Sequence, residues 1–265
     1  MHEFTVDGKA VFAATGGRPF DAGLPGVIFV HGAGMDHTIW ALQTRYFAYR
    51  GRAVAALDLP GHGRSEGPAL GSIAELAAWL GRFIAAAGLG QVSLAGHSMG
   101  ALAALECAAG LGRRLRALAL LGAAPALPVH PDLLAAAAAD DPLAFELITS
   151  WGHGRIGHRG GSRAPGLWLL GAGQRLIERS RPGVLSCDLA ACNAYPVARG
   201  LEVAAQVACP SLVLLGAQDR MTPAKAGHEL AAAMPGARVV ELADCGHMMM
   251  TEKPDQTLDA LEEVL

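Results

Sequence analysis

Residues 92–109 set a strand-length apolar run, Val92-Ser93-Leu94-Ala95, directly before the turn Gly96-His97-Ser98-Met99-Gly100 and a run of strong helix formers over 101–109. No other stretch constrains the fold as tightly. A strand that passes into a helix through so short a turn requires a β-turn-α unit, and Gly-x-Ser-x-Gly in that place is the pattern of a nucleophile elbow. The turn forces its serine into a strained backbone conformation, while the small flanking residues let strand and helix approach each other. Among 34 glycines the pattern alone is weak, and its force comes from the strand before it and the helix after it. Ser98 is expected to project above the C-terminal edge of a sheet, where ligands bind in open α/β folds.

The rest of the chain fits such a sheet. Residues 4–6 and 10–14, joined by Asp7-Gly8, predict an antiparallel hairpin at the sheet edge, because Asp-Gly suits a tight primed turn. Strands are predicted over 27–30, 53–57, 92–95, 116–121, 211–215 and 238–242, and helices over 38–49, 72–87, 101–109, 223–233 and from Pro254 onward. Ser72 and Glu75 form a candidate capping box. Between about Pro125 and Gly200 the alternation breaks down into short helical pieces punctuated by Pro125, Pro128, Pro131, Pro142 and Pro165. That segment reads as an insertion, dividing the chain into 1–124, 125–200 and 201–265.

With 52% apolar residues and a mean hydropathy of +0.31, the composition raises the question of a membrane. The longest weakly charged stretch, 117–130, is broken by Gly122, Pro125 and Pro128, whereas a spanning helix needs about 20 apolar residues, so no membrane span is expected. The first residues lack a basic region followed by an apolar run, so no signal peptide is expected either. A net charge of −3 argues against nucleic acid as a partner. Five cysteines, odd in number and without C-x-x-C spacing, predict neither a disulfide framework nor a zinc site, and a cytoplasmic location is expected.

A serine hydroxyl is a poor nucleophile near neutral pH and needs a histidine base oriented by a carboxylate. Asp219 follows the strand 211–215 and His247 follows the strand 238–242, each in a loop, which gives the order Ser, acid, His. Asp244 competes as the acid, but a partner three residues from His247 in one loop has little reach to orient the ring. His97 is expected to pack beside the elbow and His62 to fix its own turn. His153 and His158 lie in a glycine-rich segment without a nearby carboxylate, and no metal site is expected there.

With these residues in hand the sequence resembles the α/β-hydrolase superfamily, in its cap-bearing esterase, haloperoxidase-like and carbon-carbon-bond hydrolase branch. The resemblance rests on His31-Gly32-Ala33-Gly34, on Asp58-Leu59-Pro60-Gly61-His62-Gly63-Arg64-Ser65, on the elbow, on Gly216-Ala217-Gln218-Asp219 and on Gly246-His247. It implies an α/β-hydrolase fold, a mostly parallel central sheet flanked by helices, with the insertion at 125–200 as a helical cap. It also implies an oxyanion hole made by the backbone N–H groups of Ala33 and Met99. Trp151, Trp168, Tyr195 and Met248 are candidate pocket walls.

The function expected is hydrolysis of small to medium carboxylic esters by Ser98, His247 and Asp219, without metal or organic cofactor, in a monomer or homodimer. The same residues would serve a lactonase or a carbon-carbon hydrolase, although the latter group resembles Gly-Asn-Ser at the elbow where this chain has Gly96-His97-Ser98. A ligand-sensing receptor on the same fold is the reading from another class, and turnover rate separates it from an enzyme. Residues 151–181 hold six arginines and one acid, Glu178, a bias that suits either anion attraction or bridges to acidic patches on the core.

Overall fold

A computed structural model describes residues 2–162 and 166–265. Its centre is one sheet of eight strands: β1 (His2–Val6), β2 (Lys9–Ala14), β3 (Gly26–Val30), β4 (Ala53–Leu57), β5 (Val92–His97), β6 (Leu115–Leu121), β7 (Ser211–Gly216) and β8 (Arg238–Leu242). They lie in the order β1-β2-β4-β3-β5-β6-β7-β8. β1 and β2 form the antiparallel hairpin expected at the edge, turning through Asp7 at φ 52° and Gly8 at φ 74°, as a primed two-residue turn requires. From β4 to β8 every pairing is parallel, which brings the C-terminal ends of β3, β5, β6, β7 and β8 to one edge of the sheet.

Helices cover both faces, so the inner strands are buried on both sides; β3 and β4 carry no polar side chain, while β5 buries Ser93 and His97 among its apolar residues and β7 opens on Ser211. Successive residues of β3 serve opposite cores. Ile28 and Val30 pack with α2 (Ile73–Ala86) and α3 (Met99–Leu111), whereas Val27 and Phe29 pack with Trp40, Phe47 of α1 (Ala41–Ala48) and Leu261 near the chain's end. The helix predicted over 38–49 is split, because Asp36 accepts the Thr38 N–H and starts a 3-10 turn, His37–Trp40, ahead of α1. Ser72 caps α2 by accepting the Glu75 N–H at 3.2 Å.

Among the described residues six helices stand between β6 and β7: α4 (Pro131–Ala138), α5 (Leu143–Gly152), α6 (Arg155–His158), α7 (Leu169–Glu178), α8 (Val184–Ala194) and α9 (Val197–Ala205). The boundary expected at 200 falls inside α9, which packs against α3 and α10 (Ala224–Ala233) beside the sheet. Gly200 of α9 rests directly on the Pro125 carbonyl, where a side chain would collide. Arginines of this segment clip it to the core, since Arg179 pairs with Asp36 at 2.9 Å and Arg181 donates to the Gly63 and Ser65 carbonyls. Among the described residues no helix is long and apolar enough to cross a membrane.

Candidate active site

Ser98 sits between β5 and α3 at φ 54° and ψ −120°, a conformation that L residues rarely adopt and that persists only when the surroundings enforce it. The surroundings here are close. Gly96 lies against the Gly100 carbonyl and Gly100 against those of Val30 and His31, so a β-carbon at either glycine would collide with backbone. The Ser98 N–H donates to the Leu121 carbonyl of β6 at 2.9 Å, which fixes the turn from its other side.

The loop after β7 builds a socket for Asp219. Its Oδ1 accepts the N–H groups of Met221 and Thr222, both at 2.8 Å, and its Oδ2 accepts the Thr222 hydroxyl at 2.6 Å and His247 Nδ1–H at 2.7 Å. Burial works to raise the pKa of this carboxyl, but the His247 charge and the hydrogen bonds from His247 and Thr222 outweigh it and hold the group below its ordinary value. Asp219 therefore faces His247 as a carboxylate. With Nδ1 committed to that bond, Nε2 is left as the basic nitrogen of the ring.

His247 is held on every side. Its N–H donates to the Gly152 carbonyl at the end of α5, and its own carbonyl accepts His97 Nε2–H at 2.9 Å. Gly122, at φ 55°, lies flat against the ring, and a β-carbon there would stand 2.9 Å from Nδ1. His97 is fully buried with its ring 4.5 Å from that of His247; burial and the neighbouring ring push its pKa far down, so it is a neutral support. Asp244 is exposed and accepts from Gln218, not from His247. His153 and His158 turn to separate carbonyls, those of Thr149 and Ser150.

Ser98 and His247 open onto one cavity of about 360 Å³, walled on the core side by Ala33 and Thr222 and on the inserted side by Leu133, Ile148, Trp151 and Leu189. No hydrogen bond joins Ser98 Oγ to His247 among the described residues, and contacts of this kind often close only around substrate. Among the described residues neither the Ala33 nor the Met99 N–H has an acceptor in the protein, and Ala33 lines the cavity.

Of the four expected wall residues the structure brings one, Trp151, to this cavity. Trp168 is 64% exposed, because it precedes α7 and that helix turns Leu169 and Ile177 inward in its place. Tyr195 is buried away from the cavity and donates its hydroxyl to Glu106 at 2.6 Å, pinning the end of α8 to α3. Met248 is buried beside a second space of about 270 Å³. We expect Trp151→Ala to change KM or chain-length preference by about fivefold or more and Trp168→Ala to leave both within about twofold, as read by steady-state kinetics on a homologous ester series. Thr222, Gly122 and Gly152 escaped the sequence reading. Of these only Thr222 carried a signal, three residues after the acid in Asp219-Arg220-Met221-Thr222, a spacing that suits a hydroxyl turned back onto an Asp.

A family model described as "Alpha/beta hydrolase family" matches residues 27–260. A pimeloyl-[acyl-carrier protein] methyl ester esterase of Aromatoleum aromaticum is 28% identical over 256 residues, covering 91% of this chain and 98% of that protein. The dihydrolipoyllysine-residue acetyltransferase component of an acetoin cleaving system, from Cupriavidus necator, is 29% identical over 94% of this chain and 64% of that protein. Among solved structures the enol-lactonase of Burkholderia xenovorans superposes with a TM-score of 0.86 at 22% identity, covering 99% of this chain and 98% of that one.

Proposed function

Since the chain belongs to the alpha/beta hydrolase family and is a hydrolase, we propose that it cleaves carboxylic esters of small to medium size through an acyl-enzyme on Ser98. The observation that carries this reading is the 2.7 Å bond between Asp219 Oδ2 and His247 Nδ1, made at the wall of the cavity that Ser98 also lines. Ser98 Oγ attacks the carbonyl carbon as His247 Nε2 takes the hydroxyl proton. Asp219 keeps the ring in the tautomer whose free nitrogen faces the serine and stabilises the imidazolium that forms. The carbonyl oxygen becomes an oxyanion, and the Ala33 and Met99 N–H groups receive it. Collapse of the tetrahedral intermediate breaks the bond to the alcohol oxygen, which leaves with the proton from His247. Water then adds to the acyl-enzyme through the same base and releases the acid.

Cavity size and wall chemistry favour modest substrates. About 360 Å³ lined mainly by aliphatic groups lies at the small end of ligand sites and suits a short acyl chain or a compact ring. A lactone is an internal ester and needs no different machinery, and relatives named as a methyl ester esterase and an enol-lactonase are compatible with both forms. The decisive experiment is a panel of p-nitrophenyl esters from acetate to hexadecanoate together with simple lactones. We expect kcat/KM to be highest for acyl chains of about eight carbons or fewer. Activity confined to long-chain emulsified lipid would contradict the reading, and turnover orders of magnitude below about 1 s⁻¹ on every compound would favour a ligand sensor.

A further inference from the structure

Asp188 lies within α8 with its side chain only 1% exposed, and a buried carboxylate is tolerable only when it is paired and hydrogen-bonded. Its Oδ2 takes two donors at 2.8 Å, His62 Nε2–H and the backbone N–H of Gly34, while Oδ1 has no partner. His62 turns its other nitrogen, Nδ1, to the Pro60 carbonyl at 3.0 Å. An acceptor faces each ring nitrogen, so the ring holds both protons. Burial opposes that charge, but the Asp188 carboxylate overrides it and raises the pKa of His62. The ion pair joins a helix of the insertion to the loop after β4.

Gly34 gives this pair its reach. A trans peptide unit is planar, with its C=O and N–H pointing opposite ways, so fixing one end aims the other. In the unit between Gly32 and Ala33 the carbonyl accepts His31 Nδ1–H at 2.8 Å and the Met35 N–H at 3.2 Å, which aims the Ala33 N–H. His31 is neutral, its pKa lowered to about 4 by burial and by the charged His62, whose ring centre lies 4.8 Å away at a tilt of 56°, and its Nε2 accepts the Leu59 N–H. The next unit, between Ala33 and Gly34, has its N–H fixed by Asp188. Ala33 is thus held from the core on one side and from the insertion on the other. Gly34 stands at φ 66°, and a β-carbon there would lie 2.8 Å from Leu185 Cδ1 of α8, so glycine alone lets that helix come down this far. Leu189, next to Asp188 in the chain, lines the substrate cavity.

We propose that Asp188, paired with His62, is a positioning residue that ties α8 to the Gly32–Met35 loop, so that the Ala33 N–H is aimed at the substrate oxygen while the insertion is seated on the core. The inference rests on the reading of Ala33 as an oxyanion donor. It makes selectivity a matter of kcat, because a substrate that pushes against Leu189 and lifts α8 also loosens the donor that its transition state needs.

The test uses the full chain carrying Asp188→Asn or His62→Gln, with kcat and KM measured on p-nitrophenyl butyrate and Ki for a trifluoromethyl ketone of matching chain length, which forms a tetrahedral adduct on serine. For Asp188→Asn we expect kcat to fall by about 30-fold or more, KM to stay within about threefold, and Ki to weaken in step with kcat. For His62→Gln, which leaves the carboxylate a donor but no charge, about tenfold with the same split is expected. A purely structural role would lower the folded fraction and leave Ki and kcat per active site unchanged, and that result would overturn the inference. Should Asp188→Asn not fold, wild-type kcat and Ki in His62→Gln overturn it equally. Persistent turnover by Ser98→Ala would defeat the Ser98 reading itself, whereas a dead Ser98→Ala beside an unimpaired Asp188→Asn defeats the positioning role alone.

Discussion

Ser98→Ala is expected to lower kcat on short p-nitrophenyl esters by a factor of about 10³ or more and to abolish covalent labelling by a fluorophosphonate probe, with the fold intact. The substitution removes one oxygen. The β-carbon remains, so the positive-φ turn is neither relieved nor further strained, and the backbone bond from residue 98 to the Leu121 carbonyl is untouched. Thermal unfolding should therefore shift by no more than about 1–2 °C. Loss of activity together with a large fall in Tm would mean that the turn had collapsed. Undiminished labelling would remove Ser98 from the mechanism.

Asp219→Asn is the second large effect, with an expected fall in kcat of about 10⁴ and little change in KM. Four donors converge on the carboxylate: the N–H groups of Met221 and Thr222, the Thr222 hydroxyl and His247 Nδ1–H. An asparagine offers a single acceptor oxygen. If that oxygen stays with the two backbone N–H groups, the amide NH₂ must face His247 Nδ1, which can then only accept. The ring proton moves to Nε2, the atom that has to be free to take the serine proton. Asp244→Asn is the matched control and should stay within about twofold of wild type, since Asp244 is exposed and bonds only Gln218 among the described residues. A loss under about tenfold in Asp219→Asn would assign the orienting role elsewhere.

The residues legible in the sequence are those whose chemistry is tied to local chain geometry. Ser98 announces itself because a strand-to-helix turn of that tightness tolerates little but glycine on either side, and Asp219 and His247 because each follows a strand in a loop. The parallel sheet was readable for a similar reason, since strands buried on both faces are predominantly apolar, as β3 and β4 are throughout and β7 is after Ser211. What stayed hidden depends on approach through space. Gly122 looks like any loop glycine until the ring of His247 is laid against it, and Asp188 like a polar residue on an unremarkable helix until α8 settles over Gly34. Trp168 misled because a tryptophan in an inserted segment suggests a wall, whereas the helix that it precedes had smaller apolar residues to turn inward. The expected length of helix 38–49 missed the Asp36 cap, which acts before the periodicity begins.

The connectivity of the sheet has a consequence for how the molecule comes into being. Ser98 and its turn belong to β5 and α3, but Asp219 and His247 follow β7 and β8, which lie beyond the whole inserted segment in the chain. A domain generally folds as a unit. Ser98 leaves the ribosome long before Asp219 and His247, and β6 cannot pair Leu118 with Ser211 or Leu121 with Leu214 until β7 has been made. Turnover is therefore expected only once β7 and β8 have docked, and its first appearance during synthesis would report the completed sheet.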